Sequence, residues 1–215
     1  MQRFKLSVLV AFIVALGSAA SAQNPAAVPS VRPLKYGIVV DNSGSVRMQI
    51  ENLIAFVKDL VDENGPADET FLVRFVSFDK VFLIQEFTSK KNAIHEAADE
   101  MFAEGGHTAI LDAISYSAKY LIEKDPAGDY DRVIILVTDG DDRDSSMRIG
   151  QVVSQLKESN IRIFAVGIAD LKVETKTLEK LTKETGGKIF LPKGAIGRKS
   201  AAKEVAAAIR PTSTK

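Results

Sequence analysis

Apolar residues along the chain fall into short runs separated by stretches of helical spacing. Leu34–Val40 (LKYGIVV) is apolar and β-branched and reads as a buried strand. Ile50, Leu53, Ile54, Val57, Leu60 and Val61 then recur three and four apart, predicting a helix over roughly 46–63 that Asn64-Gly65-Pro66 stops. Thr70–Phe78 and Val81–Phe87 read as two more strands. Only Asp79-Lys80 separates them, a link short enough to require an antiparallel hairpin. Ser89 is placed to cap a helix with Ile94, Ala97, Ala98, Met101 and Phe102 on one face. Gly105-Gly106-His107-Thr108 interrupts. A longer helix follows, with Ile110, Leu111, Ile114, Ala118, Leu121 and Ile122 as its buried stripe, and Asp125–Gly128 ends it.

Arg132–Thr138 (RVIILVT) has no polar alternation, the pattern of a central strand covered on both faces. Ile149, Val152, Val153 and Leu156 mark the next helix, and Ile161–Ile168 another buried strand. A helix near 174–184 carries Leu178 and Leu181 and stops at Gly186-Gly187, before a short strand at Lys188–Leu191. The last helix, about 199–209, is alanine-rich, which implies shallow packing with Val205 and Ile209 as its anchors. Strands alternate with helices and one hairpin intervenes. The expected fold is α/β: a doubly wound, mostly parallel sheet of about six strands, one antiparallel edge strand, and helices on both faces.

The ends of the chain have a different character. Arg3 and Lys5 form a positive n-region, Leu6–Leu16 a short apolar segment and Ala20-Ser21-Ala22 a small-residue cleavage site. Residues 1–22 therefore read as a secretory signal peptide, and the protein as exported, periplasmic or extracellular. Residues 23–33 hold three prolines and read as an extended leader; 211–215 is a polar tail. The whole chain has 28 basic and 28 acidic residues; losing Arg3 and Lys5 leaves a net charge of −2. No basic stripe with interleaved aromatics points to nucleic acid, and no membrane span is expected once the signal is cleaved. Cysteine is absent from the 215 residues, so thiol chemistry and disulfides are excluded.

The candidate chemistry lies where two buried strands end. The first runs into Asp41-Asn42-Ser43-Gly44-Ser45, the fourth into Asp139-Gly140-Asp141-Asp142. Ligands of open α/β sheets bind outside the carboxyl ends of the strands, at the point where strand order reverses. If these two strands flank that point, Asp41 and Asp139 meet, and Thr108 can reach the same crevice behind Gly105-Gly106. Three hydroxyls and two carboxylates suit a hard cation: Mg²⁺, with Mn²⁺ or Ca²⁺ as alternatives. The competing local reading makes Ser43 and Ser45 caps of the first helix. His95 and His107 read as surface residues. Asp141, Asp142 and Asp144 read as a solvated loop with a capping role, and Gly197-Arg198-Lys199 as a solvated turn. An enzymatic alternative is a Mg²⁺-dependent phosphohydrolase of the haloacid dehalogenase type. That chemistry needs a second carboxylate two residues after the nucleophile, where this chain has Ser43.

The spacing of Asp41, Ser43 and Ser45, with a separate Thr108 and a separate Asp139, resembles the metal-ion-dependent adhesion site of the von Willebrand factor type A domain family. The resemblance covers about residues 34–210 and implies a Rossmann-like fold. It implies that Ser43 and Ser45 bind the metal directly, that Thr108 and Asp139 bind directly or through water, and that Asp41 acts mostly through water while holding the serines. It further implies a non-enzymatic binding module in which a partner protein contributes an Asp or Glu to the metal.

Overall fold

The computed structural model describes residues 33–210. The expected signal peptide, nearly all of the leader and the polar tail lie outside these residues. The described chain folds as a six-stranded sheet in the order β3-β2-β1-β4-β5-β6, with β1 (Lys35–Asp41), β2 (Glu69–Phe75), β3 (Val81–Thr88), β4 (Arg132–Thr138), β5 (Ile161–Gly167) and β6 (Ile189–Phe190). All neighbours pair in parallel except β2 and β3, which pair antiparallel and put β3 at one edge. This is the expected architecture.

The helices are α1 (Ile50–Asp62), α2 (Lys91–Asp99), α3 (Ile110–Lys124), α4 (Ile149–Glu158), α5 (Thr175–Thr185) and α6 (Gly194–Ile209). Alternation along the strands divides the core in two. Tyr36, Ile38 and Val40 of β1, with Val133, Ile135 and Val137 of β4, pack against Leu53, Phe56 and Leu60 of α1 and Val205 and Ile209 of α6. Val39, Ile134 and Leu136 face the other way, into a cluster with Ile110 and Ile114 of α3, Val152 and Leu156 of α4, and Leu178 and Leu181 of α5. Both faces of β1 and β4 are thus buried, which is why their sequences lack a polar register.

Several boundaries move for identifiable reasons. The chain after β1 makes a tight 3-10 helix, Gly44–Gln49, before α1 begins, rather than one α-helix from residue 46. β2 ends at Phe75, and Val76–Lys80 forms the hairpin turn, closed by Val76 N–H donating to Lys80 O at 3.0 Å. Ser89 does not cap α2: that helix starts at Lys91, and Lys90 N–H donates to Thr88 Oγ1 at 3.1 Å. Phe102 is not on its buried face but 58% exposed, because α2 stops at Asp99.

α6 begins at Gly194, five residues early, and absorbs the expected turn at Gly197-Arg198-Lys199. Arg198 is instead a tie: its Nε donates to Asp59 Oδ2 at 2.8 Å and its Nη1 to Asn52 Oδ1 at 3.3 Å, both on α1. Shallow packing of α6 is also not observed. Ala201, Ala202, Val205 and Ile209 are buried, and the small alanines let α6 lie close on α1. Arg210 Nη2 meets the buried Asp68 carboxylate at 2.6 Å at the far end.

Candidate metal centre

Strand order places the site. From β1 the chain passes to β2 on one side and later to β4 on the other, so strand order reverses between β1 and β4. Val40 pairs with Val137, and the next residues, Asp41 and Thr138, end side by side. The Asp41 carboxylate is fully buried and held at both oxygens. Thr138 Oγ1 donates to Oδ2 at 2.6 Å, and Ser43 N–H donates to Oδ1 at 2.9 Å. Burial pushes the Asp41 carboxyl up to about 6 against those hydrogen bonds, and the charge of Asp139 adds to the rise.

Above Asp41 three hydroxyls converge. Ser43 Oγ lies 3.0 Å from Ser45 Oγ and 2.9 Å from Thr108 Oγ1. Ser43 and Thr108 are buried and Ser45 is exposed, so the group opens to solvent on one side. Ser43 occupies the N-cap position of the 3-10 helix without a side-chain capping bond, and the N-cap position of α1 is held by Gln49, also without one. The reading of the serines as simple caps therefore fails. Asp139 is 9% exposed, and its Oδ1 accepts from Asp141 N–H at 3.1 Å.

Thr108 arrives on an irregular segment between α2 and α3, and Asn42 ties that segment down. Asn42 O accepts from Glu104 N–H at 2.9 Å, and its Nδ2 donates to Phe102 O at 2.8 Å. Gly106 has φ +93°, and a Cβ there would stand 2.9 Å from Val76 Cγ1; its carbonyl accepts from Gly44 N–H at 3.4 Å. The close approach expected of these glycines is present. On the β4 side, Gly140 has φ +89°, and a Cβ would lie 2.1 Å from Glu174 O, so only glycine lets the α5 entry pack against the turn that holds Asp139.

The structure thus brings Asp41, Ser43, Ser45 and Thr108 into one group, with Asp139 close enough to act on Asp41. His107 is exposed, and His95 lies on α2 with Nε2 3.1 Å from Asp62 Oδ1. Among the described residues no group of three or more His, Asp or Glu side chains gathers as a metal cluster, here or elsewhere; the candidate site is made of hydroxyls and two carboxylates. Two contributors were not anticipated, Thr138 and Asn42, and the capping role expected of Asp142 falls on a different helix. Asp142 Oδ1 accepts from Ile110 N–H at 2.9 Å and so caps α3 from across the site rather than its own helix. Burial pushes the Asp142 carboxyl up, against the bonds from Ser145 and Ile110. Thr138 had a signal in the sequence, a hydroxyl directly after the unbroken apolar run Val133–Val137.

A sheet of this order places two acidic turns at its reversal point, where open α/β sheets bind their ligands. The chain belongs to the von Willebrand factor type A domain family, whose model matches residues 37–194. Domains of this family generally mediate protein interactions and often bind metal. No curated protein matches the chain. Among solved structures it is similar to an aerotolerance-related membrane protein from Bacteroides fragilis, at 18% identity and TM-score 0.68, over 82% of this chain and 98% of that one. It is similar to the conserved hypothetical protein BatB from Bacteroides thetaiotaomicron, at 18% identity and TM-score 0.67, over 82% and 97%. It is also similar to a manganese-loaded TRAP protein of Plasmodium vivax, at 18% identity and TM-score 0.59, over 69% and 62%. Identities this low establish the shared fold. Neither the fold nor these similarities support the phosphohydrolase alternative, and the position it needs is held by the neutral Ser43.

Proposed function

We propose that the protein is a non-enzymatic, metal-dependent protein-binding module, in which Asp41, Ser43, Ser45, Thr108 and Asp139 hold one divalent cation. The observation that carries this reading is the spacing of the hydroxyls about Ser43 Oγ, 3.0 Å to Ser45 and 2.9 Å to Thr108. Mg²⁺ binds oxygens at about 2.0–2.1 Å in an octahedron, so neighbouring ligands stand about 2.9 Å apart; Ca²⁺, at about 2.3–2.6 Å, would spread an octahedral edge to about 3.3–3.7 Å. The two spacings match an octahedral Mg²⁺ edge, and they are also the span of the hydrogen bonds that the hydroxyls make with one another. Beneath them, the buried Asp41 beside Asp139 is a concentration of negative charge that a cation would neutralise. The manganese held by the similar TRAP protein makes Mn²⁺ the first alternative.

When bound, the cation supplies a coordination position for a carboxylate oxygen from the partner. The chain's residues prepare that position. Ser43, Ser45 and Thr108 contribute neutral oxygens, leaving positive charge for the incoming Asp or Glu. Asp41 orients Ser43 through its backbone N–H, and Thr138 orients Asp41. The expected signal peptide at residues 1–22 places this activity outside the cytoplasm, periplasmic or extracellular. Among the described residues, no helix is long and apolar enough to cross a membrane.

Isothermal titration of Mg²⁺, Mn²⁺ and Ca²⁺ into the EDTA-stripped mature chain tests the reading. Mg²⁺ and Mn²⁺ are expected to bind more tightly than Ca²⁺, and Ser43→Ala to lose at least about tenfold in affinity while remaining folded. Absence of binding by any of the three ions, or wild-type affinity in Ser43→Ala, overturns it.

A further inference from the structure

The described residues expose eight large apolar side chains, and all lie in the half of the molecule that holds the candidate metal centre. Phe78 stands on the β2–β3 turn, Phe82 at the start of β3 and Phe102 on the segment that delivers Thr108. Across the site, Leu171 and Leu191 follow β5 and β6, and Ile196 sits in the first turn of α6. Met48 lies between the two groups on the 3-10 helix, and Tyr116 in the second turn of α3. The loops at the opposite end of the sheet expose none among the described residues. Scattered apolar side chains are ordinary on a surface, but concentration around one polar centre marks a contact face.

Within that face the aromatic group is held in place. The Arg74 guanidinium carbon lies 4.6 Å from the Phe82 ring centroid and 5.7 Å from that of Phe102. Arg74 Nη1 donates to Glu104 Oε2 at 2.8 Å, and Lys80 Nζ to Glu104 Oε1 at 3.0 Å. Asn42 Nδ2 fixes the Phe102 carbonyl at 2.8 Å. Two half-exposed rings on one guanidinium, itself pinned by a carboxylate, form a platform that loses little freedom on binding. Aromatic and arginine side chains are the residue types that concentrate interface energy. Leu171, by contrast, is 100% exposed on its loop.

The platform is continuous with the metal centre. Phe102, Glu104 and Thr108 belong to one segment, and Asn42, which ties it down, stands between Asp41 and Ser43. The exposed Arg47, on the 3-10 helix that carries Ser45, reaches the same place: its Nη2 is 3.7 Å from where a Cβ on Gly105 would stand. A cation at this edge complements an acidic segment. A second copy of the chain, meeting this face symmetrically, would set Asp139 and Asp141 against their own counterparts.

We propose that Phe78, Phe82 and Phe102 form the second contact for the partner that reaches the metal centre, and that this partner presents an Asp or Glu beside an aromatic or large aliphatic residue. The proposal rests on the metal-bridge reading above. The test is selection of a phage-displayed random-peptide library on the Mg²⁺-loaded mature protein, with elution first by EDTA and then by low pH, so that metal-dependent and metal-independent binders are both recovered. The best peptide is then titrated against Phe82→Ser, Phe102→Ser and Leu171→Ser. Enriched peptides are expected to pair an acid with a neighbouring apolar residue. Each Phe variant is expected to weaken binding about tenfold or more. Leu171→Ser should stay within about twofold, as exposed substitutions do. Mg²⁺ affinity should be unchanged in all three, and all three should remain folded at the assay temperature, with at most a small fall in melting temperature where a ring leaves Arg74. Acid-bearing, EDTA-sensitive peptides that ignore both rings overturn the platform alone. Peptides that need the rings but carry no acid and survive EDTA overturn the metal-bridge reading and this partner assignment together.

Discussion

Replacing Thr138 by Val tests whether the hydroxyl beneath the candidate metal centre positions it. Thr138 Oγ1 donates to Asp41 Oδ2 at 2.6 Å and accepts from Gly140 N–H at 3.0 Å, with Thr138 fully buried. Valine fits the strand and nearly the same space, so the change removes two hydrogen bonds without opening a cavity. Loss of a hydrogen bond to a charged group costs about 1.5–3 kcal/mol, and leaving the Gly140 N–H unpaired about 1–3 kcal/mol. These overlap, since both groups can shift, and a net loss of about 3 kcal/mol is expected. A domain stability of about 5–15 kcal/mol leaves the variant folded. Asp41, freed on one side, no longer holds Ser43 rigidly, so Mg²⁺ affinity should fall roughly 10–100-fold although Thr138 is not among the proposed ligands. Urea unfolding in EDTA measures the first quantity and isothermal titration the second. Thr138→Ser keeps the hydroxyl and should recover most of both. Wild-type Mg²⁺ affinity in Thr138→Val would refute the positioning argument even if stability fell as expected.

Three other outcomes are expected. N-terminal sequencing of exported protein should begin at Gln23, and an intact Met1 in the membrane fraction would rule out cleavage after Ala22. Ile209→Ala should cost about 2–5 kcal/mol and leave Mg²⁺ affinity unchanged, because Ile209 is buried and α6 is tied at both ends by Arg198 and Arg210; a near-neutral urea midpoint would mean that α6 is loosely held after all. Burial raises the Asp68 carboxyl, but Arg210 and the N–H groups of Leu34 and Gly65 outweigh it and hold it below the usual carboxylate range. A carboxyl lowered in the fold stabilises above its unfolded pKa and loses that contribution as pH falls through the folded value, so Asp68→Asn should flatten the acid side of the stability profile; an equally steep acid limb in that variant would discount Asp68.

The sheet was legible because its central strands are buried on both faces. A run such as Arg132–Thr138 leaves a parallel strand under two layers of helix as the consistent choice, and the short β2–β3 link forces the one antiparallel edge. Helix ends were less legible, since they are decided by partners remote in sequence. Arg198 reads as a solvated turn until α1 brings Asp59 and Asn52 to it. Asp142 reads as part of an acidic loop until the N-terminus of α3 is found against it. Phe102 has the right spacing for a buried helical face, but α2 ends before reaching it, and the ring joins Arg74 instead.

The candidate site divides along the same line. Asp41, Ser43 and Ser45 were legible because they follow one strand directly, so local sequence fixes their spacing. Asp139 was legible only on the condition that β4 lies beside β1, and the sheet order meets that condition. Thr108 sits on a segment with no regular structure, and its place is set by bonds that no local pattern encodes: Glu104 to the Asn42 carbonyl, Asn42 to Phe102, and Ala109 N–H to Val76 O at 2.9 Å. Each of these bonds ties the segment either to the end of β1 or to the β2–β3 turn. Whatever moves that turn therefore bears on the hydroxyl nearest Ser43 as well as on the aromatic platform. Under the proposed function, metal binding and partner selection would share one support, and Asn42, at the unspecified second position of the D-x-S-x-S pattern, is the residue that joins the two sites.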